Sequence, residues 1–309
     1  MNISHESYTN GSRENTREAK SGYDLELVGI NDGSFVLMHS LAITCLGLSM
    51  LSALCVIVAS TQDRGLRGFF SWTKSERFVF YMACTEITLG LTHTFDHSQI
   101  LITRDHVRPE ELCQFFAFVL YTFVCAQLLT VNMIAITVFR IIYLHHNVEY
   151  GRNDWKLFLL IFGLPISSAA VYASTGQFGT NGTFCFFDIV NGIISYVIVA
   201  ILMILILIIN TVLYGLTLFR IRKDTKETEK SLGPRIEATH RTQRAARNMF
   251  LFLIVYFIQW LPASLLSVAV IFPNPPDFMI HLVVTFSNIG GVLNGIVYYV
   301  IRRRRHRDQ

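Results

Sequence analysis

His93, Asp96 and His97 stand at positions i, i+3 and i+4, so on a helix two imidazoles and a carboxylate share one face. That set admits two chemistries. Two histidines four residues apart with a carboxylate suit a zinc ion, and zinc with an open position activates water for hydrolysis. The same side chains also suit the polar lining of a pocket open to one side of a membrane. A purely structural polar cluster is the plain alternative. His281, far along the chain, is expected at a similar depth. Glu86 lies about two turns before His93, inside an apolar run. An acid in lipid is expensive, so a cation or proton site that senses helix rearrangement is the default reading. A protonated acid bonded to a neighbouring helix is the structural one.

The elements that must position these groups are apolar. The 309 residues are 52% hydrophobic and only 16% charged, with mean hydropathy +0.43. Seven runs stand out: Phe35–Thr61, Phe78–Ile102, Leu112–Leu144, Trp155–Ala173, Gly192–Phe219, Asn248–Phe272 and Phe278–Ile301. Each is near or above the ~20 residues that a helix needs to cross a bilayer. The runs are continuous rather than alternating, so helices satisfy the backbone in lipid. The expected fold is an all-α membrane protein, a seven-transmembrane helix bundle. It divides into an amino-terminal tail, residues 1–34, the bundle, residues 35–301, and a short basic tail, residues 302–309.

Charge sets the orientation. With the amino terminus outside, Arg13, Arg17, Lys20, Arg104 and Arg108 are the only outer cations among 26 Lys and Arg. That is a strong positive-inside bias. The sequons at Asn2, Asn10 and Asn181 fall on the same outer side, where glycosylation occurs. The net charge of +4 belongs to cytosolic anchors facing anionic headgroups, and nucleic-acid binding is not expected. The amino tail lacks an apolar signal segment. Of six cysteines, Cys45, Cys55, Cys84 and Cys125 fall inside spans. Cys113 and Cys185 alone share the oxidising face, so one disulfide is expected between them.

Other polar residues inside spans are Gln127, Asn132 and Asn210, read as inter-helix hydrogen bonding. Gln259, Trp260 and Pro262 mark the sixth span, where the proline removes a backbone donor and kinks the helix. Gly290 and Gly291 permit close packing or local unwinding in the seventh, and Asn294 and Tyr298 share a face. Phe69, Phe70 and Trp72 read as an interfacial anchor. The loops contain no phosphate-binding glycine motif and no Ser/His/Asp elbow, so no cofactor and no resident metal is called for.

Taken together, the seven spans, the Cys113–Cys185 link, Trp260-Leu261-Pro262 with Tyr256 before it, Asn294-x-x-x-Tyr298 and Glu86 after Met82-Ala83 resemble a rhodopsin-like G-protein-coupled receptor. The departures are Gly295 for the proline of the seventh helix and Val138 where the arginine of Asp-Arg-Tyr falls, with Arg140 two residues late. The outer segment Gly182–Asp188 is similar to a segment of prostanoid receptors, whereas Thr285 stands in place of their ligand-binding arginine. The resemblance implies a plasma-membrane receptor, not an enzyme. It implies an extracellular ligand lined by His93, Asp96, His97, Tyr121, Phe186, Trp260 and His281. Glu86, Tyr256, Trp260, Pro262, Asn294 and Tyr298 would form the switch. Arg140, Arg241 and Arg244 would meet a heterotrimeric G protein. The alternatives are a metal-dependent hydrolase built on His93, Asp96, His97 and His281, and a transporter or channel around Glu86 and Asp96.

Overall fold

The computed structural model describes residues 19–228, 235–269 and 278–307. Its helices follow the apolar runs. The first is Phe35–Arg64, the second Lys74–Thr103 and the third Glu110–Ile142. The fourth span, Arg152–Ser174, is composite. The fifth helix is Ile193–Thr228 and the sixth Arg235–Ala269. The seventh span is Phe278–Asn288 followed by Gly290–Arg307, bent by 44°. Among the described residues, the first, third, fourth and fifth are long and apolar enough to cross a membrane, and the bent pair makes a fifth span. The second helix falls outside that set because Glu86, His93, Asp96 and His97 lower its hydropathy. The sixth contributes a shorter apolar stretch, Phe250–Leu266.

Local chemistry sets several ends. Thr73 and Glu76 make a reciprocal capping box at the start of the second helix, the Glu76 carboxylate accepting from the Thr73 backbone at 3.0 Å. Glu110 and Glu111 sit in the first turn of the third, where carboxylates oppose the positive end of the helix dipole. The fifth and sixth helices run beyond their apolar stretches into the basic segment that joins them. Lys, Glu, Arg and Ala there are good helix formers, and Arg220 pairs with Asp224 one turn on at 3.0 Å. In the fourth span a π-helical turn, Leu159–Gly163, precedes Pro165. Proline lacks the donor that would bond Ile161, and the wider turn absorbs the mismatch. The sixth helix runs unbroken through Pro262.

The break in the seventh span leaves carbonyls without helical partners inside the membrane. Neighbouring helices supply them. Ser49 donates to the Asn288 carbonyl at 2.7 Å, and the Gln259 amide donates to the Ser287 carbonyl at 3.0 Å. A broken helix is tolerated in lipid on those terms. Gly291 lies so close to the first helix that a Cβ would stand 2.6 Å from the Ser49 carbonyl oxygen. Unwinding and close packing both occur at the glycine pair.

The third helix is the hub, touching the second, fourth, fifth and sixth and both short strands. Strands β1 (Phe178–Thr180) and β2 (Cys185–Phe187) pair antiparallel, with Thr180 opposite Cys185. An inner core gathers Phe78, Leu128, Val131, Leu157, Tyr256 and Trp260. An outer core gathers Leu27, Phe35, Val107, Tyr121, Phe178 and Phe187. Outward-facing Leu51, Ile201, Leu202 and Ile209 are exposed, as expected of side chains whose solvent is lipid.

Candidate functional site

The outer mouth is closed by the hairpin and the amino-terminal segment. Cys185 is disulfide-bonded to Cys113 at the top of the third helix, with Cα atoms 5.2 Å apart. Asn181 shapes the hairpin turn, its Oδ1 accepting from the Thr183 and Phe184 backbones at 2.9 and 3.0 Å. Gly182 follows at φ +87°, a conformation glycine adopts freely. Asp188 draws in three backbone donors: Val190 and Asn191 bond Oδ1 and Gly22 bonds Oδ2, the last at 2.9 Å. Val28 donates to the Gly182 carbonyl at 2.9 Å. The His106 ring joins the Leu25 carbonyl to the Thr180 hydroxyl at 2.8 and 3.1 Å. The Arg108 guanidinium lies 4.7 Å over the Tyr23 ring. Burial pushes the Tyr23 phenol above its ordinary range.

Beneath this cover His93, Asp96 and His97 meet a residue that sequence reasoning passed over. His39 of the first helix places its Nδ1 2.7 Å from Nδ1 of His97. Both rings are fully buried. Its sequence signal was an ionisable side chain in the outer turns of an apolar run, the criterion that singled out Glu86. The His93 ring packs 4.4 Å from His97 and 4.8 Å from Phe184. Asp96 Oδ2 accepts from the Cys185 backbone at 2.9 Å. His93 Nδ1 approaches Asp96 to 3.7 Å, longer than a hydrogen bond. His39 Nε2, His97 Nε2, His93 Nδ1 and Asp96 Oδ1 are buried without a hydrogen-bond partner. Such atoms are rare in folded proteins and ask for a ligand, a water or a change of protonation.

The other expected lining residues lie apart from this cluster. Tyr121 bonds Ser168 at 3.0 Å and packs among Tyr172, Phe178 and Phe187, with Phe186 at 6.4 Å. Trp260 belongs to the inner core. His281 is half-buried at the outer end of the seventh span with Asp32 as a charged neighbour. No hydrogen bond or ring contact joins it to the cluster among the described residues. Nor do any three His, Cys, Asp or Glu side chains among them present a metal-binding arrangement.

The middle of the bundle gathers most of the expected switch. Asn294 donates to Glu86 Oε1 at 3.2 Å. Two small cavities meet there. One is lined by Gln127, Tyr256, Gln259 and Trp260, the other by Ala53, Val56 and Gly291, and Glu86 and Asn294 border both. Tyr298 lies further in, its hydroxyl accepting from Ser60 at 3.2 Å. Asn132 and Asn210 join the third and fifth helices at 2.9 Å.

At the end of the bundle away from the hairpin a second buried polar cluster appears, unforeseen in sequence. Arg77 clamps Asp154 with two bonds, 2.6 and 3.0 Å, and the Tyr81 hydroxyl adds a third at 2.9 Å. Arg77 also donates to the Trp72 and Phe70 carbonyls. Lys74 bonds the Val148 carbonyl, and Thr137 bonds Tyr150. Arg140 is half-buried near the end of the third helix. The side chains of Arg241 and Arg244, and the sequons at Asn2 and Asn10, lie outside the described residues.

Comparison with known proteins fits this geometry. No curated protein matches the chain in sequence. Among solved structures, squid rhodopsin superposes with a TM-score of 0.71 at 14% identity, over 90% of this chain and 85% of that one. At that identity the likeness speaks for the fold. The sequence profile of the 7 transmembrane receptor (rhodopsin family) matches residues 52–298. That family consists of multi-pass membrane receptors rather than enzymes, which sets the hydrolase alternative aside. A closed outer mouth, a polar mid-bundle linking the second and seventh spans, and a match over most of its length place this chain in the rhodopsin family of seven-transmembrane receptors.

Proposed function

We propose that this receptor, with its amino terminus outside and sequons at Asn2, Asn10 and Asn181, binds an extracellular ligand in the outer half of the bundle. The ligand sits under the β1–β2 hairpin against His93, Asp96 and His97, with Tyr121, Phe186 and His281 on its flanks and Trp260 at its deep end. One observation carries the reading: four buried polar atoms without partners lie under a hairpin held by the Cys113–Cys185 disulfide. Binding then favours one of two bundle packings through differential affinity. A full switch needs a preference of about 10⁴, roughly 5.5 kcal/mol. Glu86, Tyr256 and Asn294, together with Trp260, border the mid-bundle cavities, so a change there reaches the sixth helix around Pro262. Arg140, Arg241 and Arg244 then face a heterotrimeric G protein, with Tyr298 bordering the same cleft.

The test is nucleotide exchange on a panel of heterotrimeric G proteins by the purified receptor, screened against ligand libraries. The expected result is a ligand that accelerates exchange on at least one G protein and loses potency with Asp96→Asn. A panel that never exchanges faster, with or without any ligand, removes the proposal. Ion flux through the receptor in proteoliposomes without G protein would restore the channel alternative.

A further inference from the structure

We propose that the cluster of His39, His93, His97 and Asp96 is a proton-binding site, and that outer acidity loosens the hairpin-covered mouth. The proposal deepens the receptor reading, since it names a regulator of the same outer site.

Four observations support it. First, His39 and His97 share one short Nδ1–Nδ1 contact, in which one ring donates and the other accepts. Two protonated rings would set two N–H groups against each other there. Second, both rings are dry: Phe35 lies 4.6 Å from His39, and Phe184 6.0 Å from His97. A charge placed there costs heavily unless it is paired. Third, the carboxylate within the cluster, Asp96, is held by the Cys185 N–H and faces His93 rather than the His39–His97 pair. Fourth, the other ionisable groups packed around it do not offer a partner. Tyr23 of the amino-terminal segment is within electrostatic reach of Asp96 but is itself surrounded by Glu110, Arg108 and Asp188. His281 of the seventh span has Asp32 as its charged neighbour. The hairpin contributes Phe184 and the disulfide-bonded Cys185.

The sign follows from burial. The closed packing requires a neutral His39–His97 pair, whereas an opened, hydrated packing accommodates the charged one. Protons therefore bind the open packing more tightly. The closed packing is favoured above the ordinary histidine range and loses ground as pH falls through it. His93 faces Asp96 at 3.7 Å and offers the other two rings no counter-charge. The donors do not converge on a metal position among the described residues. The two cavities lie around Glu86, seven residues and about 10 Å inward along the helix. A proton needs no cavity.

The experiment is hydrogen exchange across the hairpin, residues 178–187, on the purified receptor in lipid nanodiscs, from about pH 8 to about pH 5, corrected for intrinsic exchange. The expected result is protection that falls with acid by up to about ten-fold per pH unit over the histidine range. The double variant His39→Phe/His97→Phe removes that dependence, and the single variant His97→Gln reports the same loss should the double variant fail to fold. Flat hairpin protection in the unaltered receptor overturns the proposal. So does a variant that keeps the full acid response, and so does a response driven by zinc at fixed pH and reversed by chelation. No G protein enters the measurement. An acid response without any G-protein activation would sink the receptor reading and leave the proton site standing; ligand-driven activation with a flat hairpin would do the reverse.

Discussion

Two buried polar clusters, one at each end of the bundle, are built on opposite terms. At the end away from the hairpin the Asp154 carboxylate accepts three hydrogen bonds, from Arg77 twice and from Tyr81. Arg77 spends further donors on the Trp72 and Phe70 carbonyls, so one ion pair fastens the loop between the first and second helices, the second helix and the loop before the fourth span. At the outer end the histidine cluster has one hydrogen bond between rings and one to a backbone, and four of its polar atoms have no partner. A satisfied network has one best arrangement and resists change, whereas an incomplete one has something to gain from rearrangement. The difference assigns holding to the inner cluster and responding to the outer.

The sharpest way to break that contrast is Asp154→Ala. It strands a buried guanidinium, so the expected loss is about 3–5 kcal/mol, read as a large drop in the melting temperature of the solubilised receptor. A melting temperature close to that of the unaltered protein would place Arg77 in water and make the two ends alike. Next comes Cys185→Ser. It opens a link between residues 72 apart in sequence and loosens the backbone donor that holds Asp96. The expected loss is about 2–5 kcal/mol, and hairpin exchange should rise while the Arg77–Asp154 end stays protected. Exchange that rises equally at both ends would mean that the clusters are not separable.

What the sequence disclosed and what it hid divide along the same line. The spans were legible because lipid demands a long apolar run for every crossing, and Cys113 and Cys185 because topology left them together. The closeness of His93, Asp96 and His97 was legible because helical spacing is local. His39 was not, since its partner lies 58 positions away and periodicity carries no information across two helices. The Arg77–Asp154 pair was hidden for the same reason, at a separation of 77. The glycine pair in the seventh span announced close packing or unwinding without deciding between them. Ser49 and Gln259, which permit both, lie on other helices. The resemblance put Trp260 and Tyr121 in one pocket lining, yet they pack into separate cores.

The smallest expected effect is the most discriminating. His39→Phe alone removes the ring that bonds His97 and leaves another buried polar atom unpartnered, which costs about 1–3 kcal/mol. His39→Phe with His97→Phe removes both partners and substitutes shape for shape, so its cost should fall to about zero even though it changes more of the molecule. The coupling between the two positions is read from a double-mutant cycle of melting temperatures. Additive losses would mean that the rings hold the outer end together, as Arg77 and Asp154 hold the inner one. A strongly compensating cycle would mean that stability does not require this polar pair. Its retention in the bundle would then have to be explained by what the outer mouth responds to, which is the role that the unpartnered atoms assign to it.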